Sequence, residues 1–266
     1  MNLLDDIVRN KRKEVAAMKA RTSLSSLREK EQYGRVCRSL RDSLESTAGF
    51  GIIAEMKRSS PSAGPVLRDI DPRTLALEYQ ENGARGVSVL TDECFFRGTV
   101  GDLSEARKSV EIPLLRKDFI IDEFQVFEAR AYGADAILLI ARILGRTQLA
   151  ELHVAARETG LEALVELYDE SEIDILDIDR MNLVGINNRD LNTLDVDLQR
   201  SISIARHLPP GLTIVSESGI RTSRDLIRLH RSGVRSALIG EHFLKSGRPG
   251  EALHTLLEEF DRETSG

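Results

Sequence analysis

Several short runs put an ammonium or a carboxylate where an apolar strand gives out. In the first, Gly51-Ile52-Ile53-Ala54 leads into Glu55-Met56-Lys57-Arg58-Ser59-Ser60-Pro61-Ser62. Residues i and i+2 of a strand share a face, so Glu55 and Lys57 leave the run on one side. Charge on the inner face of a buried strand is costly unless it is paired or used. The Ser-Ser-Pro-Ser turn that follows offers hydroxyls and N–H groups suited to an anion. A surface ion pair beside a loop gives the same pattern, but the pattern recurs. Leu114-Leu115-Arg116 ends in Lys117, and Leu164-Val165 in Glu166. Gly185-Ile186 is followed by Asn187 and Arg189, and Thr213-Ile214-Val215 by Ser216-Glu217-Ser218-Gly219. Leu238-Ile239 is followed by Gly240 and Glu241. Two amines, several carboxylates, an amide and a guanidinium on one surface suit proton transfer on a small anion. Glu166 and Lys117 have the character of a base and an acid held apart in pKa. A ring of structural ion pairs remains the bland alternative.

The elements that must position these groups alternate. Eight apolar runs fall at Gly51–Met56, Gly86–Leu90, Pro113–Leu115, Ala136–Ile140, Glu162–Leu167, Leu183–Ile186, Thr213–Val215 and Ala237–Ile239. Helical stretches follow them at Pro72–Asn82, Gly101–Ser109, Asp122–Tyr132, Thr147–Thr159, Ser171–Ile178, Asp197–His207, Ser223–Arg231 and Pro249–Phe260. Gly83, Gly133, Gly160 and Gly233 stand where a left-handed helix cap is needed. Eight strand–helix units with short loops predict an α/β fold, a (β/α)8 TIM barrel. An open doubly wound sheet is the runner-up. Against it, no G-x-G-x-x-G follows the first strand and there is no P-loop. Residues 1–48 read as an N-terminal helical extension, with Leu3, Leu4, Ile7, Val8 and Val15 at helical spacing. A second helix is expected at about 35–46. The expectation is one domain over 1–266, with 1–48 as helices over the catalytic face and 49–266 as the barrel.

In such a barrel the strand C-termini form the active site, so the polar residues above converge on one mouth. Paired glycines after the seventh and eighth runs, Gly219 and Gly240, stand at the common phosphate position of these barrels, where backbone N–H groups approach an anion. The substrate is expected to be a phosphate ester.

Composition limits the alternatives. The 266 residues carry 37 Lys plus Arg against 43 Asp plus Glu, a net charge of −6. That balance disfavours nucleic acid or an anionic membrane as a partner. Only eight of the basic residues are Lys, and of these only Lys57 and Lys117 end apolar runs. Lys can give up a proton where Arg effectively cannot. Cys37 and Cys94 show no metal or disulfide spacing. The five His fall mostly on helical stretches and read as surface residues. The N-terminus lacks the apolar core of a signal peptide, so the cytoplasm is the expected compartment.

The strand-end motifs resemble indole-3-glycerol phosphate synthase of tryptophan biosynthesis. The resemblance rests on Ile53–Ser62, Leu115-Arg116-Lys117-Asp118-Phe119-Ile120, Gly185-Ile186-Asn187-Asn188-Arg189-Asp190-Leu191 and Ser216-Glu217-Ser218-Gly219-Ile220, and covers essentially the whole chain. It implies a single-enzyme lyase without cofactor or metal. The reaction it implies converts 1-(2-carboxyphenylamino)-1-deoxyribulose 5-phosphate to indole-3-glycerol phosphate, releasing CO2 and water. It implies Lys117 as general acid in ring closure and Glu166 as base in dehydration. Lys57 is implied to contact the charged groups of the substrate, with Glu55 and Asn187 orienting amines and hydroxyls. Arg189 and Ser60 would hold the anthranilate carboxylate and ring, and Phe96, Phe119 and Leu191 the aromatic pocket. Ser62, Ser218, Gly219, Gly240 and the backbone of Glu241 would hold the phosphate, with Glu217 and Leu238 beside them. Many relatives have Ser where this chain has Glu241, so the Glu241 carboxylate should point away from the phosphate. Weak association with other enzymes of the pathway is a further expectation. A sugar-phosphate isomerase on the same barrel would need a cysteine and a carboxylate at strand ends in place of two lysines. A non-catalytic phosphate-binding or scaffold barrel would not need Lys117 and Glu166.

Overall fold

All six residues of β1, Gly51–Met56, are buried, as a strand covered on both faces must be. A computed structural model describes residues 3–60, 64–65, 71–190 and 193–265. The further strands are β2 (Gly86–Leu90), β3 (Leu114–Lys117), β4 (Ala136–Ile140), β5 (Glu162–Leu167), β6 (Leu183–Asn187), β7 (Thr213–Glu217) and β8 (Ser236–Ile239). Every pairing among these eight strands is parallel, and the order β1-β8-β7-β6-β5-β4-β3-β2 closes on itself. The chain is therefore a (β/α)8 barrel, as the alternation predicts. Side chains alternate in and out. Ile53, Leu115, Leu138, Leu164, Val215 and Leu238 fill the barrel interior. Their neighbours Ile52, Leu114, Ile137, Val165, Ile214 and Ile239 pack outward beneath the helices.

The helices begin where the chain offers a cap. In α4 (Pro72–Glu81), Asp71 accepts from the N–H groups of Arg73 and Thr74, and Pro72 fills the first position. Thr99 with Asp102 and Thr222 with Asp225 form capping boxes for α6 (Val100–Arg107) and α10 (Ser223–Arg231). The outer layer is completed by α7 (Glu123–Ala131), α8 (Arg146–Glu158), α9 (Gln199–Ala205) and α12 (Pro249–Thr264), with short α5 (Glu93–Phe96) and α11 (Glu241–Lys245) on the strand C-terminal side. Where a helix was expected at Ser171–Ile178, only a 3-10 turn forms, Glu170–Ile175. β3 runs two residues beyond its apolar core. Its charged end is sustained because Arg116 is paired, with Glu128 at 2.8 Å and Asp118 at 3.2 Å.

The N-terminal extension divides between the two ends of the barrel. The first helix, α1 (Leu3–Arg21), puts Leu4 and Ile7 against the barrel interior on the catalytic side. After α2 (Leu24–Arg28) the chain reaches the opposite end, where α3 (Leu40–Glu45) acts as a plug. Leu44 lies against Gly51 and Leu40 against Gly86, the first residues of β1 and β2. A Cβ on Gly86 would come 2.7 Å from Leu40 Cδ1, so that strand start must be glycine for the plug to seat. Glu162, at the start of β5, accepts from the N–H groups of Leu40 (2.7 Å) and Arg41 (3.0 Å) and complements the helix N-terminus. The expectation that all of 1–48 lies over the catalytic face is thus corrected: α1 lies there, and α3 closes the far end. The helix expected at 35–46 shortens to Leu40–Glu45 for a related reason. Arg35 and the Arg38 N–H both reach Asp135, at 2.6 and 2.8 Å, and this extended path leaves Val36 90% exposed.

Candidate active site

Strand parity carries the polar residues inward. Glu55 and Lys57 continue the inward series of Ile53 on β1, Lys117 that of Leu115 on β3, and Glu166 that of Leu164 on β5. Asn187 follows Leu183 and Gly185, Glu217 follows Val215, and Gly240 follows Leu238. All of these line one cavity of about 370 Å³ at the C-terminal ends of the strands. Phe96, Phe119, Arg189, Ser218, Gly219, Leu238 and Glu241 line it as well. Ser60 lies in a short antiparallel pair with Gly64; its side chain, and the residues Ser62 and Leu191, lie outside the described residues.

At the floor stands Lys117, whose Nζ is 2.7 Å from Glu217 Oε2 and 3.3 Å from Glu166 Oε2. Burial acts to lower its pKa, but Glu217, Glu166 and Glu55 outweigh that and the pKa is raised. The ammonium is therefore fully protonated at neutral pH. Burial also pushes Glu217 up to about 8, with Glu166 adding to the rise and Lys117 opposing it. Gly185 makes space for this group, since a Cβ there would stand 2.2 Å from Glu217 Oε1. Across the floor, Lys57 Nζ donates to Glu55 Oε1 at 2.7 Å.

The cavity has an apolar end and a polar rim. Phe96 and Phe119 face each other with ring centroids 6.1 Å apart. Leu3 and Ile7 of α1 line the cavity with them. At the rim, Arg189 Nη2 is 3.4 Å from Glu241 Oε2, and Lys245 Nζ donates to Glu241 Oε1 at 2.6 Å. The Glu241 carboxylate is thus held between two cations. Burial acts to raise its pKa, but Lys245, Lys57 and Arg189 outweigh that and leave it lowered.

Ser218 and Gly219 turn the chain sharply after β7, with φ of 70° and 84°. For Ser218 this left-handed conformation is strained. Asn188 Nδ2 holds the turn by donating to the Ser218 carbonyl at 3.1 Å. The two rim glycines owe their missing side chains to packing. A Cβ on Gly219 would meet Val196 Cγ1 at 2.3 Å, and one on Gly240 would meet Glu55 Oε1 at 2.6 Å.

Several cavity residues escaped the sequence reading: Leu3, Ile7, Leu194, Arg221, His242 and Lys245. Lys11 also escaped, although it is 3% exposed and paired beneath α1. It had a signal, for it continues the buried stripe of Leu4, Ile7 and Val15. His153, expected at the surface, is buried. Among the described residues no group of three or more His, Cys, Asp or Glu is arranged to hold a metal ion, and no helix is long and apolar enough to cross a membrane.

A closed parallel barrel with an amine–carboxylate cluster at its strand C-termini defines the class, a barrel enzyme built for acid–base chemistry. The barrel itself is shared widely. Thiamine phosphate pyrophosphorylase from Pyrococcus furiosus superposes with a TM-score of 0.58 at 16% identity, covering 86% of this chain and 100% of that one, which is a likeness of fold alone. The particular family follows from sequence. The indole-3-glycerol phosphate synthase profile matches residues 4–256. The protein of that name from Salinibacter ruber is 45% identical over 97% of this chain and 96% of its own length. The one from Rhodopirellula baltica is 42% identical over 92% and 95%. The chain belongs to the indole-3-glycerol phosphate synthase family, and so to the carboxy-lyases of tryptophan biosynthesis that act on a small phosphorylated substrate.

Proposed function

We propose that the cavity closes, decarboxylates and dehydrates 1-(2-carboxyphenylamino)-1-deoxyribulose 5-phosphate, with Lys117 as the acid of ring closure. The observation that carries this is the Lys117 ammonium, fixed 2.7 Å from Glu217 and 3.3 Å from Glu166 between an apolar pocket and a polar rim. As the ring carbon attacks the sugar carbonyl, the oxygen gains negative charge, and Lys117 supplies it with a proton. Loss of CO2 then restores the aromatic ring, and the new hydroxyl takes a second proton, from Lys57, and leaves as water. Glu166 takes the proton released in that dehydration. Its 3.3 Å contact with Lys117 gives a direct route for the proton back to the amine. Lys57, fixed by Glu55, faces the substrate's charged groups, and Asn187 orients its hydroxyls.

Substrate shape supports the same assignment. Phe96 and Phe119 would take the aromatic ring, with Ser60 and Leu191 beside it, and Arg189 the carboxylate that later leaves. Ser62, Ser218, Gly219, Gly240 and the Glu241 backbone would take the phosphate, flanked by Leu238. Anchors at both ends fold the substrate so that its ring carbon meets its carbonyl. The Glu241 carboxylate, engaged by Arg189 and Lys245, leaves the phosphate to backbone groups. We read residues 1–266 as one domain, since α1 and α3 bury their apolar faces on opposite ends of the same barrel. The reading carries with it a cytoplasmic location and only weak association with neighbouring pathway enzymes, which fractionation and sedimentation of mixed enzymes test.

The isomerase alternative lacks its nucleophile, because Cys94 is exposed on α5 and does not line the cavity. The test is direct. Purified protein is mixed with the carboxyphenylamino-deoxyribulose phosphate, and indole fluorescence and CO2 are followed. Stoichiometric appearance of both is expected. Intact substrate after prolonged incubation with folded protein would overturn the proposal.

A further inference from the structure

Lys11 is a buried lysine outside the reacting cluster. Its Nζ lies 2.8 Å from Asp92 Oδ2, 2.9 Å from Asp118 Oδ1 and 2.6 Å from Glu14 Oε2. Lys11 and both aspartates are almost wholly buried, at 3%, 0% and 3% exposure. Each aspartate has a second duty. Asp92 caps α5 by accepting from the Phe95 N–H at 2.8 Å, and α5 carries Phe96. Asp118 accepts from the Phe119 N–H at 2.8 Å and from Thr91 Oγ1 at 2.6 Å. Lys11 itself sits one turn along α1 from Ile7, which with Leu3 lines the cavity. One ammonium thus joins the three elements that build the apolar end of the pocket.

We propose that Lys11 is a positioning residue for the aromatic ring of the substrate, fixing α1, α5 and the segment after β3 so that Leu3, Ile7, Phe96 and Phe119 form one ring-shaped slot. This rests on the functional reading above for the identity of the ring. A compact ammonium suits the task, because it presents several donors to carboxylates arriving from different directions. Removing it leaves Asp92 and Asp118 buried without their shared counter-charge, and such carboxylates are strongly driven apart or toward water. Asp118 remains anchored by Arg116 and Thr91, whereas among the described residues Asp92 pairs with no other cation. The slot should therefore loosen at the α1–α5 side, while the phosphate rim on the far strands stays intact.

The test compares two unreactive ligands on the full chain. One is the substrate with its carbonyl reduced to an alcohol, which keeps ring and phosphate; the other is ribitol 5-phosphate, which lacks the ring. For Lys11→Met, the ring-bearing ligand is expected to bind at least about tenfold more weakly, with ribitol 5-phosphate unchanged. KM for the substrate should rise, and turnover at saturation should stay close to native. Asp92→Asn retains the cap, because Asn caps as well as Asp, and should give a smaller loss in the same direction. That variant carries the test alone if Lys11→Met does not fold. Equal weakening of both ligands, or native-like binding of the ring-bearing ligand by the folded variants, overturns the inference. If the native protein does not bind the ring-bearing ligand at all, the functional reading fails first.

Discussion

Gly219→Ala isolates what the rim turn does. The substitution adds one methyl, at a backbone φ of 84° and 2.3 Å from Val196 Cγ1. The left-handed conformation costs an L-residue about 1–2 kcal/mol. Relieving the clash adds about 1–3 kcal/mol if the surroundings are stiff. Val196 is 38% exposed, so it can give way and the lower end applies. It does not move alone, because Val196 is bridged to Arg189. The variant should thus be less stable in urea unfolding and should also bind substrate more weakly through a displaced Arg189. Gly219→Ala combined with Val196→Ala removes the offending methyl and leaves only the backbone strain. The double variant should recover roughly 1 kcal/mol of stability and most of the lost affinity. If it is no more stable than Gly219→Ala, after correction for Val196→Ala alone, the clash is elsewhere and the turn has been misread.

Glu166→Gln keeps the shape of the side chain but cannot take a proton, so a single turnover should release CO2 without forming indole-3-glycerol phosphate; product formed at the native rate would reduce Glu166 to an orienting group. The pKa of Glu217 rises on folding from the ordinary 4.5 to about 8, so its contribution to stability is present below pH 4.5 and is lost as pH climbs through about 8. Glu217→Gln removes that dependence, and the native melting temperature should fall relative to the variant across this window. Parallel curves for the two proteins would show that Glu217 is already ionised at low pH.

The sequence disclosed the site through parity. Once Ile53 is an inward residue of a barrel strand, Glu55 and Lys57 must follow it inward, and the same arithmetic holds for Leu115 to Lys117, Leu164 to Glu166 and Val215 to Glu217. Local periodicity and the rule that strand C-termini form the mouth therefore suffice. What stayed hidden depends on contacts between distant segments. Nothing near Leu40 and Leu44 says that they meet Gly86 and Gly51, because that contact is set by the path of residues 22–39 around the barrel. Nor does the place of Gly240 after a strand reveal that it sits tight against Glu55 of the adjacent strand. Lys11 was legible in principle, as a charge on an apolar helical stripe. A lysine on an amphipathic N-terminal helix ordinarily reaches solvent, however, and its partners Asp92 and Asp118 come from far along the chain.

The central claim is that Lys117 delivers the proton of ring closure. The most direct measurement is the turnover of Lys117→Ala alongside its affinity for the reduced, unreactive substrate analogue. Turnover is expected to fall about 10²–10⁴-fold, the usual cost of losing a general acid. Affinity for the analogue should stay near native, because the proposed ring and phosphate anchors lie on other residues. Near-native turnover, or a loss of rate explained wholly by lost affinity, would contradict the account.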